Sequence, residues 1–256
     1  MTLKEKLEYH YKAFGQNRIS PDPLEFLHRY KDNKDIEITG FIASVFAYGN
    51  IKQIMRISEM IFLNIGKNPY RFLVDFNRSK EKLFSGIKHR FYNENDIKVF
   101  FSILSGTIRK HGSLENLFMK GYDSKHKNVK NEISAFSGYF LSQIEKKYEL
   151  TPGLKFMFPL PEKGSACKRM NLFLRWMVRR DELDFGLWKR IPSNKLIIPV
   201  DTHIANICKK LKLTGRKSIS WLMAEEITEN LKKYDQEDPV KYDFALCHIG
   251  MRKMEF

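Results

Sequence analysis

Two residues of this chain carry chemistry at the starts of helices. Asp201 stands in Pro199-Val200-Asp201-Thr202-His203-Ile204-Ala205-Asn206-Ile207-Cys208, between an extended stretch and an amphipathic segment. An Asp at such a junction reads as an N-cap, and the backbone N–H groups of the helix start hold its carboxylate ionised. Ile204, Ile207, Cys208 and Leu211 keep the spacing of one buried helical face. Upstream, Gly164-Ser165-Ala166-Cys167-Lys168-Arg169-Met170-Asn171 puts a lysine at the start of another apolar helix. A rigid carboxylate stabilises a cation that develops beside it. A lysine whose pKa is depressed by burial attacks an electrophilic carbon and leaves a Schiff base. The plain alternatives are a simple cap for Asp201 and a phosphate-binding or solvated lysine for Lys168. His203 reads as support for Asp201.

These two starts need helices behind them, and the apolar periodicity supplies little else. It predicts helices over 2–14, 24–30, 36–48 and 51–65, then from Pro69 to Phe76, 96–111, from Ser113, and over 129–148. Further on it predicts helices over 168–179, from Asp201, over 220–232 and over 240–251. Ile36 to Tyr48 is nearly continuous in apolar residues, and its length favours a buried helix over a strand. Leu196-Ile197-Ile198 is too short to count as a strand, so the expected class is all-α. Thr151 to Lys163 is rich in proline and reads as a connector, which predicts lobes over 1–155 and 156–256, with the last helix free to pack back on the first lobe. Arg179 to Pro199 reads as an irregular insert holding Trp188.

The chain has 256 residues, 45 Lys+Arg against 30 Asp+Glu, and a formal charge of +15. That excess favours a polyanionic partner, nucleic acid first and an anionic membrane surface second. Lys163, Lys168, Arg169, Arg175 and Arg179 form a dense basic group suited to gripping phosphates. Three scattered cysteines supply neither a disulfide framework nor the four thiolates of an iron–sulfur cluster, and no spacing argues for a metal site. No segment has the apolar length to span a bilayer, and no signal peptide opens the sequence. The expected setting is the cytoplasm, with the nucleoid as the place of work in a bacterium or archaeon.

Val200-Asp201-Thr202-His203 and the segment from Gly164 to Asn171 together resemble the helix-hairpin-helix DNA glycosylases, the endonuclease III and 8-oxoguanine glycosylase superfamily. The match extends unevenly from Ile36 to the C-terminus. It sets Lys168 on the family's catalytic lysine and Asp201 on its catalytic aspartate. Ala166 stands where the family's hairpin usually has a second glycine, the insert before Asp201 is long, and the cysteine cluster of the iron–sulfur branch is absent. These departures are similar to those of the divergent archaeal 8-oxoguanine glycosylases and their bacterial relatives.

The resemblance implies a two-lobed helical bundle with a DNA-binding cleft between the lobes. It implies a monomer acting on double-stranded DNA with a damaged base such as 8-oxoguanine, without a cofactor. Base excision would be coupled to strand cleavage by an associated lyase activity. Tyr48, Gly49 and Asn50 would lie at the minor groove, and Lys163, Gly164, Ser165, Arg169 and Arg175 would also contact DNA. A flipped base needs an aromatic pocket, for which Trp188, Tyr242, Phe244 and His248 are the candidates. The rival readings are a non-catalytic DNA- or RNA-binding protein on the same scaffold, and an all-α protein that binds an acidic partner.

Overall fold

The computed structural model describes residues 1–15 and 19–252, the side chains of 251 and 252 excepted. Among the described residues every regular element is helical, so the chain is all-α. The only pairings of strand type among them are two isolated bridges, His89 with Tyr92 and Arg180 with Phe185. Two compact units form: residues 1–20, 124–130 and 161–256 make the first, and 21–123 with 131–160 the second. The expected cut lay at 155/156, with the last helix free to pack back on the first lobe; here the described N-terminal residues group with the C-terminal part. The reason is packing: Phe14 meets Phe244 edge-on at 6.4 Å, and the Tyr242 hydroxyl donates to Glu8 at 2.5 Å.

The second unit is organised around α2 (Asn33–Phe46), where every residue from Ile36 to Phe46 is buried. A helix apolar on all sides is stable only when surrounded. Its neighbours include α3 (Ile51–Ile65), α4 (Pro69–Val74) and α6 (Glu94–His111), followed by α7 (Leu114–Phe118) and α8 (Lys130–Glu145). The short α5 (Arg78–Glu81) lies between α4 and α6 in the chain, and α9 (Pro152–Met157) closes the unit. Phe41 packs against Phe100, Phe136 and Phe140, and Phe140 stacks on Phe158 at 4.7 Å. Glu37, the one ionisable group in the buried run, accepts from the N–H groups of Leu114 and Glu115 at 2.9 and 3.0 Å. Its charge thereby caps the start of α7.

The first unit contains α1 (Leu3–Ala13), α10 (Lys168–Val178), α11 (Thr202–Lys210), α12 (Trp221–Leu231) and α13 (Asp243–Arg252). Two helices differ from the sequence expectation. The second, expected over 24–30, is a 3₁₀ segment from Pro23 to Arg29, and the last begins as 3₁₀ at Pro239–Tyr242 before α13. The proline-rich connector also holds α9, a short helix capped by Thr151.

Candidate functional site

In the first unit, the segment before α10 is a tight succession of turns. The N–H of Gly164 donates to Pro161 at 2.9 Å, the Ser165 hydroxyl accepts from Cys167 N–H at 3.1 Å, and the N–H of Trp221 reaches Gly164 O at 3.2 Å. Gly164 has φ +82° and Cys167 φ +47°, so the chain enters α10 through left-handed backbone. For a non-glycine residue this costs roughly 1–2 kcal/mol. Asn171 secures the entry, its side-chain amide donating to Ala166 O at 3.0 Å. Lys168 is therefore the first helical residue behind a stiff corner.

Asp201 is the N-cap of α11, its Oδ1 accepting from the N–H groups of His203 and Ile204 at 2.9 and 3.0 Å. The other oxygen, Oδ2, accepts from Lys168 Nζ at 2.8 Å. Both side chains keep partial access to solvent, 32% for Lys168 and 21% for Asp201. Burial raises the Asp201 pKa, but Lys168 and the capping N–H groups outweigh it and hold the carboxylate below its ordinary range.

Lys168 differs from its expectation. Burial alone would lower its pKa, yet the Asp201 carboxylate more than offsets that, and the ammonium is held above its ordinary value. The amine is thus a protonated partner of Asp201. Behind the pair, α13 packs tightly on the start of α11: a Cβ on Gly250 would lie 3.2 Å from His203 Cβ and O. The His203 side chain itself is exposed.

Beneath this pair lies an ionic cluster that the sequence did not announce. Arg175 pairs with Asp243 and with Asp184 (3.3 Å), while Arg179 pairs with Asp184, with Asp181 (2.9 Å) and with Asp238 (2.8 Å). Arg175 and Arg179 are 3% and 2% exposed. They are internal cross-links of α10 rather than surface phosphate contacts. Charges removed from water persist only when paired, and all four carboxylates come from outside α10: Asp181 and Asp184 from the irregular insert, Asp238 and Asp243 from further along the chain. Burial pushes the Asp243 carboxyl up to about 6, against the pull of Arg175. Arg169 is also buried, at 5% exposure. Of the named phosphate-contact candidates here, Lys163, Gly164, Ser165 and Lys168 keep access to solvent.

The four residues expected to line a base pocket are packed in the core instead. Trp188 is 1% exposed, edge-on to Phe173 at 5.2 Å; Tyr242 is fully buried on Glu8. Phe244 and His248 are 5% and 1% exposed and pack on each other at 4.2 Å. Large aromatic area favours the interior, and α13 turns this face toward α1. Two of the three thiols are buried too: burial pushes Cys167 up to about 12 and raises Cys208 further, so neither is a ready nucleophile.

In the second unit, Tyr48, Gly49 and Asn50 form the loop between α2 and α3, with Gly49 and Asn50 exposed. Asn50 caps α3, its side-chain oxygen accepting from Lys52 N–H at 2.9 Å. Gly49 has φ +114°, a conformation that L side chains rarely adopt. Tyr48 is half-buried against Phe156, ring centroids 4.6 Å apart.

The architecture is all-α and the chemistry-bearing pair joins two helix starts within one unit. The chain belongs to the family described as "Protein of unknown function (DUF2400)", whose model matches residues 22–252. No curated protein and no solved structure matches the chain. Among the described residues no helix is long and apolar enough to cross a membrane, and no cluster of His, Cys, Asp and Glu is suited to a metal ion.

Proposed function

We propose that the protein is a DNA glycosylase that excises a damaged base, an oxidised purine such as 8-oxoguanine being the first candidate, with an associated lyase activity. The observation that carries this reading is the 2.8 Å pair between Lys168 Nζ and Asp201 Oδ2. Cleaving an N-glycosidic bond builds positive charge on the sugar, and a carboxylate held ionised by Lys168 and its capping N–H groups is suited to stabilise it. The bond's electron pair leaves with the base, which takes up a proton. Lys168 Nζ, once it has released a proton, attacks the anomeric carbon to form the covalent adduct. That proton is the one the departing base takes up, so Asp201 stays ionised beside the developing cation. The exposed Lys163 and Gly164 at the adjoining turn, and a chain charge of +15, suit a phosphate backbone.

One observation favours a variant of this reading. Because Asp201 holds Lys168 protonated, the lysine also suits a purely electrostatic role in an enzyme that releases the base without cutting the strand. Borohydride trapping on duplex DNA containing 8-oxoguanine separates the two. The nucleophile reading expects a covalent band that is lost in Lys168→Ala. Base release without a band expects the electrostatic role. Salt-dependent binding with no base release from a panel of single-lesion duplexes would instead leave a non-catalytic nucleic-acid binder.

A further inference from the structure

A second built feature lies in the second unit, on a turn that is not part of the Lys168–Asp201 site. His89 and Tyr92 exchange both backbone hydrogen bonds at 2.9 Å, leaving Arg90 and Phe91 as the tip of a two-residue turn. Arg90 has φ +53°, in a position where such turns favour glycine. The turn is fixed to the end of α2: the buried His89 ring meets Phe46 O at 3.0 Å, and the Tyr92 hydroxyl donates to Val45 O at 3.1 Å. Carbonyls at a helix C-terminus lack intrahelical partners, so these side chains complete α2 while presenting the tip beside Tyr48 and Gly49.

The tip is an aromatic and cationic surface. The Arg90 guanidinium lies 4.6 Å over the Tyr48 ring. A Cβ on Gly49 would come within 2.7 Å of Arg90 Cδ, so the glycine leaves room for that side chain. Phe91 is 55% exposed, with its ring 5.1 Å from Phe156 and 6.0 Å from Tyr48. Lys52, Lys88 and Lys155, sequence neighbours of these residues, are all exposed. An interior residue would hide Phe91, and a solubilising turn would not hold an arginine in strained backbone. Persistent backbone strain accompanies functional sites.

We infer that Arg90, Phe91, Tyr48 and Phe156 form a stacking surface for an unpaired base, so that single-stranded DNA is a partner in its own right. Aromatic faces beside cations are the combination by which proteins hold single strands, the rings taking bases of any sequence and the cations their phosphates. The inference rests on the DNA reading above and extends it to the strand state recognised.

The test uses the full chain and a single-stranded oligonucleotide carrying 2-aminopurine, whose fluorescence is quenched by stacking. Wild type binds and quenches. Phe91→Ala weakens binding by about tenfold and removes the quench. Arg90→Gly, which suits the turn, keeps the melting temperature and lowers the slope of log K against log salt by about one phosphate contact. Quenching by Phe91→Ala equal to wild type overturns the inference. So does failure of wild type to bind the single strand while base release from duplex persists, which leaves the proposed function standing. A wild type that binds neither strand form and releases no base overturns both.

Discussion

Lys168 and Asp201 lie 33 residues apart and meet through a 2.8 Å charge-assisted hydrogen bond, each at the first turn of its own helix. The stiff corner at Gly164–Cys167 sets the lysine, and the cap geometry sets the carboxylate. Asp201 divides its two oxygens, one to the helix it starts and one to the amine. Its position therefore does not depend on Lys168, whereas the charge state of each depends on the other.

That division separates cap from charge by substitution. Asp201→Asn keeps an oxygen for the His203 and Ile204 N–H groups and loses the negative charge. Asp201→Ala loses both. Base release is expected to fall by at least about a hundredfold in both variants, the size typical of removing one preorganised electrostatic group. Only the alanine variant should also lose the cap, about 1 kcal/mol of stability in urea denaturation. Base release in Asp201→Asn near the wild-type rate would reduce Asp201 to a cap.

The Asp243 carboxyl gives a pH signature of opposite sign to the usual carboxylate. Its pKa is raised by burial to about 6, above the value of about 3.9 in an unfolded chain. Its contribution is therefore fully present below about pH 4 and is lost as pH rises through about 6. Asp243→Asn imitates the protonated form. The stability of wild type relative to that variant should decline between pH 4 and pH 7, by up to about 3 kcal/mol. Paired urea titrations at several pH values read this difference directly, and a flat difference would show that Asp243 stays ionised.

Much of the helical order was legible because it depends on local signals. Ile51–Ile65 is apolar on one face and begins at a capping Asn, and the expected helix and the observed one coincide. Asp201 as a cap and Lys168 as a first-turn residue were equally local. What sequence could not show was which way charged and aromatic side chains face once distant segments pack. Arg175 and Arg179 share a face of α10 with Lys168, and that spacing reads as a basic surface. Only the folded chain brings Asp184, Asp238 and Asp243 against them. Trp188, Tyr242, Phe244 and His248 are buried in the core for the same reason. The turn at Arg90–Phe91 gave no signal, since its sequence lacks the glycine that such turns favour.

The buried arginines invite a substitution that distinguishes the two roles. Arg175→Ala would leave Asp184 and Asp243 without a shared cation in the interior. Removing one member of a buried pair costs about 3–5 kcal/mol. A surface phosphate contact would instead leave stability within about 0.5 kcal/mol of wild type and only weaken DNA binding. Lys163→Gln serves as the exposed comparison: it should keep the urea midpoint and lower the salt slope for DNA.

Two glycines test how tightly the second unit is built beneath the Arg90–Phe91 turn. Gly153 sits in α9 where a Cβ would lie 2.6 Å from Phe91 O and collide with Asp96. Asp96 itself is fully buried and accepts from the Thr151 hydroxyl at 2.5 Å, so it has no room to retreat. Gly153→Ala should therefore destabilise by roughly 1–3 kcal/mol, the cost of overpacking. Gly106, exposed in the interior of α6, has nothing within 4 Å of an added Cβ. There the lower backbone entropy of alanine prevails, and Gly106→Ala should stabilise by about 0.5–1 kcal/mol. Thermal melts of the two variants should move in opposite directions. A Gly153→Ala midpoint equal to that of wild type would mean that α9 and the turn are not in close contact, and the seat of Phe91 would have to be redrawn.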